Sequence, residues 1–160
     1  MNILQFGEVD LYEEDKEYEG SISFDNTTIQ LCLSIEEEPD IESLRSIEKY
    51  LKCLRVHLYE AYYLLIQDFQ FDLEPNTVRE YMEHHISEFP DTVLLELFDT
   101  LTIDVRTFFS EIVVKSITFN PDYSDSFVVI DMKLPDKYTD YTLVCEFDSE
   151  FELDSIEIES

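Results

Sequence analysis

The side chains of this sequence that could do chemistry are carboxylates interleaved with aromatic rings. One cluster holds Glu13, Glu14 and Asp15, followed by Glu17 and Glu19. A second is Glu36, Glu37 and Glu38, with Asp40. A third runs through Glu146, Asp148, Glu150, Glu152, Asp154, Glu157 and Glu159. Tyr12, Tyr18, Tyr123, Tyr138 and Phe151 lie among them. Acid beside tyrosine suits an arginine- or lysine-rich surface, because it offers ion pairs and cation–π contacts together. Glu13, Glu14, Asp15, Glu36, Glu37, Glu38, Asp148, Glu150, Glu152, Glu157, Glu159, Tyr123 and Tyr138 are therefore the predicted partner-binding residues. Any pair of these acids could be cast as a general acid and base, but with 38 of them chance pairs are everywhere and carry no signal.

Other chemistry has little to stand on. The glycines are Gly7 and Gly20 alone, so no glycine-rich loop can cradle a phosphate. The G-x-S-x-G, H-E-x-x-H and C-x-x-C patterns are absent. His84 and His85 are adjacent, and neighbours on a helix point about 100° apart, a poor arrangement for one metal. They are expected to be a partly exposed structural pair. His57 is expected at the edge of an apolar stripe. The segment Asp122–Asp125 lacks the spacing and glycine of a calcium loop. Cys32, Cys53 and Cys145 are odd in number and widely spaced, which argues against a disulfide framework and a zinc site and for buried free thiols. No catalytic residue, metal or cofactor is expected, and the chain is expected not to be an enzyme.

Composition points the same way. With 160 residues, 44% hydrophobic and 14% aromatic, the chain has enough apolar matter for one core and one domain, residues 1–160. Its net charge is −28, where a magnitude of roughly 2–8 suffices to keep a small domain soluble. Such a charge repels phosphates, so direct binding to nucleic acid or to an anionic membrane is not expected. A basic protein is. The charge is unevenly spread: residues 1–40 carry −11, 41–70 carry 0, 71–110 carry −7 and 111–160 carry −10. The start of the chain lacks the pattern of a secretory signal, and no apolar run of about 18 residues occurs, so a cytoplasmic protein is expected.

The elements that must position these acids follow from periodicity. Residues 1–35 read as strands, with Ile22 and Phe24, then Ile29, Leu31, Leu33 and Ile35, at period two about a turn at Asp25-Asn26. Residues 40–69 read as one long helix opened by Pro39 and an Asp40 N-cap. Its stripe is Ile41, Leu44, Ile47, Leu51, Leu54, Leu58, Tyr62, Leu65 and Phe69, and its length would be about 45 Å, more than a small domain's width, so a kink or an overhang is expected. Arg45, Lys49, Lys52 and Arg55 form a basic ridge beside that stripe, expected to pair with Glu36–Glu38 or Glu13–Asp15 and otherwise to offer an anion-binding face. A helix over 77–88 follows, with Thr77 and Glu80 in a capping-box pattern, then a short one near 91–99. Residues 102–110 are ambiguous between strand and turn.

The remainder is strand again: 112–119, then Val128 to Leu134, Tyr141 to Phe147, and Ile156 with Ile158, joined by turns at Asp122–Asp125, Pro135–Asp140 and Asp148–Glu150. The predicted class is α+β: an antiparallel sheet from N- and C-terminal strand blocks, packed against a central helical block with one long helix.

Four stretches carry a resemblance: Phe6-Gly7-Glu8, Lys115–Asp122, Asp140–Asp148 and Ile156–Ser160. In these the chain resembles an uncharacterised small acidic bacterial domain family found among immunity-type proteins beside polymorphic toxins. Glu146-Phe147 stands where a Lys-Phe-like pair is expected, which makes this strand more acidic. The resemblance implies a bacterial cytoplasmic protein that neutralises a toxin by binding it. Together with the charge, it favours an immunity or inhibitor protein acting on a basic toxin, nucleases included. The alternatives are a DNA mimic that blocks DNA-binding proteins, or an adaptor or structural domain.

Overall fold

In a computed structural model the described residues are 1–160 without Leu11, Glu13, Asn26, Pro39 and residues 72–75, and without the side chain of Phe71. The site residue Glu13, the turn residue Asn26 and the helix opener Pro39 thus lie outside the described residues. The elements run β1 Asn2–Ile3, β2 Gly7–Glu8, β3 Lys16–Phe24, β4 Thr27–Ile35, α1 Ile41–Lys52, α2 Leu54–Phe71, α3 Thr77–Glu88, α4 Asp91–Phe98, α5 Val105–Ser110, β5 Val113–Phe119, β6 Val128–Lys133, β7 Thr142–Phe147 and β8 Leu153–Glu159. The class is the expected α+β, with strand blocks at both ends of the chain and helices between.

One sheet holds six strands in the order β3-β4-β5-β6-β7-β8. All its pairs are antiparallel except β4 with β5, which is parallel (Gln30 opposite Ser116, Leu33 opposite Phe119). The sheet is thus mostly antiparallel, in keeping with the expected class, and the parallel β4–β5 pair is the exception. Short turns force strand reversal, but residues 36–112 separate β4 from β5. The helical block within them returns the chain to the end where β4 began, so β5 runs the same way.

Strand alternation divides the sheet into a covered and an open face. Ile29, Leu31, Leu33 and Ile35 of β4, Ile117 and Phe119 of β5, Val128, Ile130 and Met132 of β6, and Leu143, Cys145 and Phe147 of β7 are buried in one core with Leu44, Ile47, Leu58 and Leu65 of the helices. Each such side chain, fully buried, contributes roughly 1.5–3 kcal/mol. The open face carries Glu17, Glu19, Gln30, Ser34, Thr118, Asp131, Glu146, Ser155 and Glu157, interrupted by Val129 and Val144. A small β1–β2 hairpin closes one margin of the core with Ile3, Phe6 and Val9. Gly20 permits its approach: a Cβ there would lie 2.7 Å from the Gln5 carbonyl oxygen.

The long helix is two helices. Cys53, at φ −110° and ψ 14°, leaves helical geometry, and its N–H turns back to the Tyr50 carbonyl (2.9 Å). A straight rod of about 45 Å would overhang strands of nine residues, about 30 Å long. The break lets Leu44, Ile47 and Leu51 of α1 and Leu54, Leu58 and Leu65 of α2 all reach the same core. Ile41, at the head of the predicted stripe, is instead exposed.

Asp40 occupies the N-cap position of α1, but its side chain makes no capping bond. In α3 the cap is Asn76, whose side-chain oxygen accepts from the Arg79 N–H (2.9 Å), so the Thr77–Glu80 box is not formed. The ambiguous stretch is helical over Val105–Ser110, started by Asp104, which accepts from the Thr107 N–H (2.8 Å). Of the cysteines, Cys145 is buried, Cys32 half-buried and Cys53, at the helix break, exposed rather than buried.

Candidate functional site

Strand direction brings most of the predicted acids to one place. β3 begins, β4 ends, β5 ends, β6 begins, β7 ends and β8 begins at the same end of the sheet. Segments 14–15, 36–38, 120–127 and 148–152 therefore form one rim, bordered by Lys16 at the head of β3. They contain ten carboxylates and no lysine or arginine. Glu14, Asp15, Glu36, Glu37, Glu38, Glu150 and Glu152 are exposed there, Asp148 is half-buried, and Tyr123 is 45% exposed.

Hydrogen bonds between its own segments build this rim. The Asp122 carboxylate accepts from the backbone N–H of Glu36 (2.8 Å) and Glu37 (3.3 Å), tying the end of β4 to the β5–β6 loop. The Tyr123 hydroxyl donates to Glu36 (2.5 Å), which raises the Tyr123 pKa. The Asp15 N–H donates to the Glu36 carbonyl (3.4 Å), and the Ser149 N–H to the Ser124 carbonyl (2.9 Å). Asp148 accepts from the N–H groups of Glu150 (2.8 Å) and Glu152 (2.9 Å), which folds the β7–β8 turn on itself. At this turn Phe151 takes a left-handed φ of 66°, a strained state for a large residue. Its ring packs on Tyr50 (centroids 4.8 Å apart) and Phe127 (6.0 Å).

Two of the predicted groups lie elsewhere. Glu157 and Glu159 project from the edge strand β8, with Glu159 at the far end opposite Thr142. Tyr138 sits in the β6–β7 loop, also at the far end, and donates to Glu96 (3.0 Å) under the ammonium of Lys137 (4.4 Å from the ring centroid). It belongs to an ion-paired cluster, not to the rim.

The basic ridge pairs internally, as expected, but with other partners. Arg45 binds Glu42 (2.5 Å), Lys52 binds Glu48 (3.0 Å) and Arg55 binds Asp25 (2.6 Å). Two of the three acids are neighbours on α1, where i,i+3 and i,i+4 partners need no loop to be ordered, whereas Asp25 reaches Arg55 from the β3–β4 turn.

The histidines divide. His84 is exposed, whereas His85 is 2% exposed, not the partly exposed residue expected. Its Nδ1 lies 2.7 Å from the Tyr81 carbonyl and must donate to it, so Nε2 in the neutral ring accepts from the Thr139 hydroxyl (2.8 Å). Burial lowers its pKa below the usual value, partly countered by the bond to Tyr81. Among the described residues no group of three or more His, Cys, Asp or Glu is placed to hold a metal ion, and no helix is long and apolar enough to cross a membrane.

One cleft adjoins the rim. It has a volume of about 530 Å³ and lies between α1–α2 and the β7–β8 turn, walled by Tyr50, His57, Tyr63 and Phe151 with Glu60 and Glu152 at its sides. Sequence periodicity assigns Tyr50 and Tyr63 to no site, because the cleft they line with Phe151 joins segments far apart in the chain.

No protein-family model, no curated protein and no solved structure matches this chain.

Proposed function

We propose that this protein acts by binding, as an immunity or inhibitor protein that docks its acidic rim on a basic toxin and occludes it. The observation that carries the reading is the rim itself: ten carboxylates with no base among them, joined by hydrogen bonds before any partner arrives. Like charges so gathered repel one another, about 0.5 kcal/mol per pair at 8 Å in water. A cationic partner relieves that repulsion and is steered toward it from a distance. The resemblance to bacterial immunity-type proteins supports the choice of a toxin, and the cytoplasm as the place of action.

The test is co-expression with the product of the adjacent gene, followed by pull-down at low and high salt. A basic protein retained at low salt and released at high salt is the expected result. If no basic partner is retained at low salt, the reading fails. Displacement of DNA from several unrelated DNA-binding proteins would instead support a DNA mimic.

A further inference from the structure

We propose that the cleft beside the rim receives an arginine side chain of the basic partner. The inference rests on the reading of the protein as a binder of basic proteins, and it adds which residue the partner supplies. Rings make up much of the cleft wall, with Leu64 and Leu153 beside them, and no lysine or arginine is among the described residues that line it. Tyr50 and His57 already stack in parallel there, with centroids 4.1 Å apart and planes 6° apart. The Phe151 ring stands 5.5 Å from His57, and Tyr63 is 60% exposed at the margin. Glu60, whose carboxylate lies 3.3 Å from His57 Nδ1, and Glu152 flank the opening, and both are exposed.

A guanidinium suits this combination better than an ammonium. It is planar, so it stacks on rings; it is weakly hydrated, so it enters an apolar slot; and its fork of donors binds a carboxylate bidentately. A lysine ammonium is a compact, strongly hydrated charge that gains little from flat walls. The position of the slot is fixed before binding. Asp148 holds the turn through the Glu150 and Glu152 N–H groups, and the left-handed Phe151 aims its ring inward between Tyr50 and Phe127. Such strain is kept where the surroundings overdetermine it, and ordered walls lower the entropy cost of binding.

The experiment is calorimetric titration at low salt with a hexa-arginine and a hexa-lysine peptide of equal charge. The wild type is expected to prefer the arginine peptide by about 5- to 30-fold. Glu60→Gln with Glu152→Gln, and separately Tyr63→Ala, should bring that preference close to one. Glu157→Gln with Glu159→Gln, on the distant edge strand, should weaken both peptides alike and leave the preference intact. Equal binding of the two peptides by the wild type, or a preference that survives both cleft variants, would overturn the arginine slot while leaving the rim as the docking surface. Failure of either peptide to bind at low salt would remove the rim reading and the slot with it.

Discussion

The two ends of the sheet solve the placement of polar groups in opposite ways. At the far end the lysines are paired with acids. Lys115 and Lys133 both pair with Asp136, and Lys137 pairs with Glu96 (2.6 Å). Tyr81, 1% exposed, accepts from the Leu134 N–H (3.3 Å) and donates to the Tyr141 carbonyl (3.0 Å), while His85 beside it is satisfied at both nitrogens. At the rim, hydrogen bonds order the backbone, and the segments that form it contain no lysine or arginine. An end built for stability alone would resemble the first. The difference teaches that the charge is unevenly placed: the far end joins its lysines to acids, while the rim segments gather ten carboxylates and contain no lysine or arginine.

Deleting one hydroxyl at each end should break the comparison most strongly. Tyr81→Phe leaves the buried Leu134 N–H and Tyr141 carbonyl short of a partner, and should cost about 1–3 kcal/mol. Tyr123→Phe removes an exposed bond to Glu36 and should change stability by no more than about 0.5 kcal/mol. Urea denaturation of both variants reads the difference. Equal losses would mean that the rim is as tightly built as the far end.

Acid should also act on the two ends unequally. The His85 pKa is lowered in the folded protein, chiefly by burial, with His84 adding to the effect. The unfolded ring therefore takes up a proton at higher pH than the folded one. Its contribution to stability is complete above the ordinary value of about 6.5 and is lost as pH falls from there toward the lower folded value. Urea midpoints between pH 7.5 and 5.5 should fall for the wild type and fall less for His85→Gln. Identical slopes would remove His85 as the acid-sensitive element.

Charge removal sharpens the comparison from the other side. Glu14, Glu37, Glu38 and Glu150 are exposed rim residues. Changing all four to glutamine should raise stability by about 0.5–1 kcal/mol at low ionic strength, because self-repulsion falls. The gain should shrink as salt approaches 0.5 M and screening shortens to a few ångströms. A variant less stable than the wild type at low salt would show that these acids stabilise the fold, and the rim would lose its claim to be held for a partner.

What the sequence disclosed depended on range. Period-two patterns place β4 and β6 to within a residue, and the stripe through Leu44, Ile47, Leu58 and Leu65 finds the core faces of α1 and α2. These are local signals, since burial repeats every 2 or 3.6 residues. The break at Cys53 is not local: neither glycine nor proline marks it, and it is set by the length of the sheet beneath. The parallel β4–β5 pair likewise depends on where the helical block ends. For the site, the acidic clusters were visible as composition, but their union into a rim needed strand direction. Tyr138 reads in sequence like Tyr123, yet topology sends it to the opposite end. Asp122, which organises the rim, reads only as a turn residue, because its partners at Glu36 and Glu37 are more than 80 positions away.

The smallest effect expected is also the most local report on the field of the acids. Cys32 lies on the open face opposite Glu19, and its thiol pKa is raised by burial first and then by the charges of Glu17 and Glu19. Cys145 lies on the covered face, where burial pushes its thiol up to about 12. Cys53 is exposed at the helix break. Since the thiolate is the nucleophile, iodoacetamide at pH 8 should modify Cys53 first, Cys32 slowly and Cys145 only on unfolding. Salt cannot relieve burial, but it screens the glutamates. Raising sodium chloride from 0.02 to 0.5 M should therefore speed Cys32 about two-fold and leave Cys145 unreactive. Mass spectrometry of the digested protein resolves the three sites. A Cys32 rate indifferent to salt would mean that burial alone protects the thiol, and that the negative field of the open face is too weak at that depth to guide a partner.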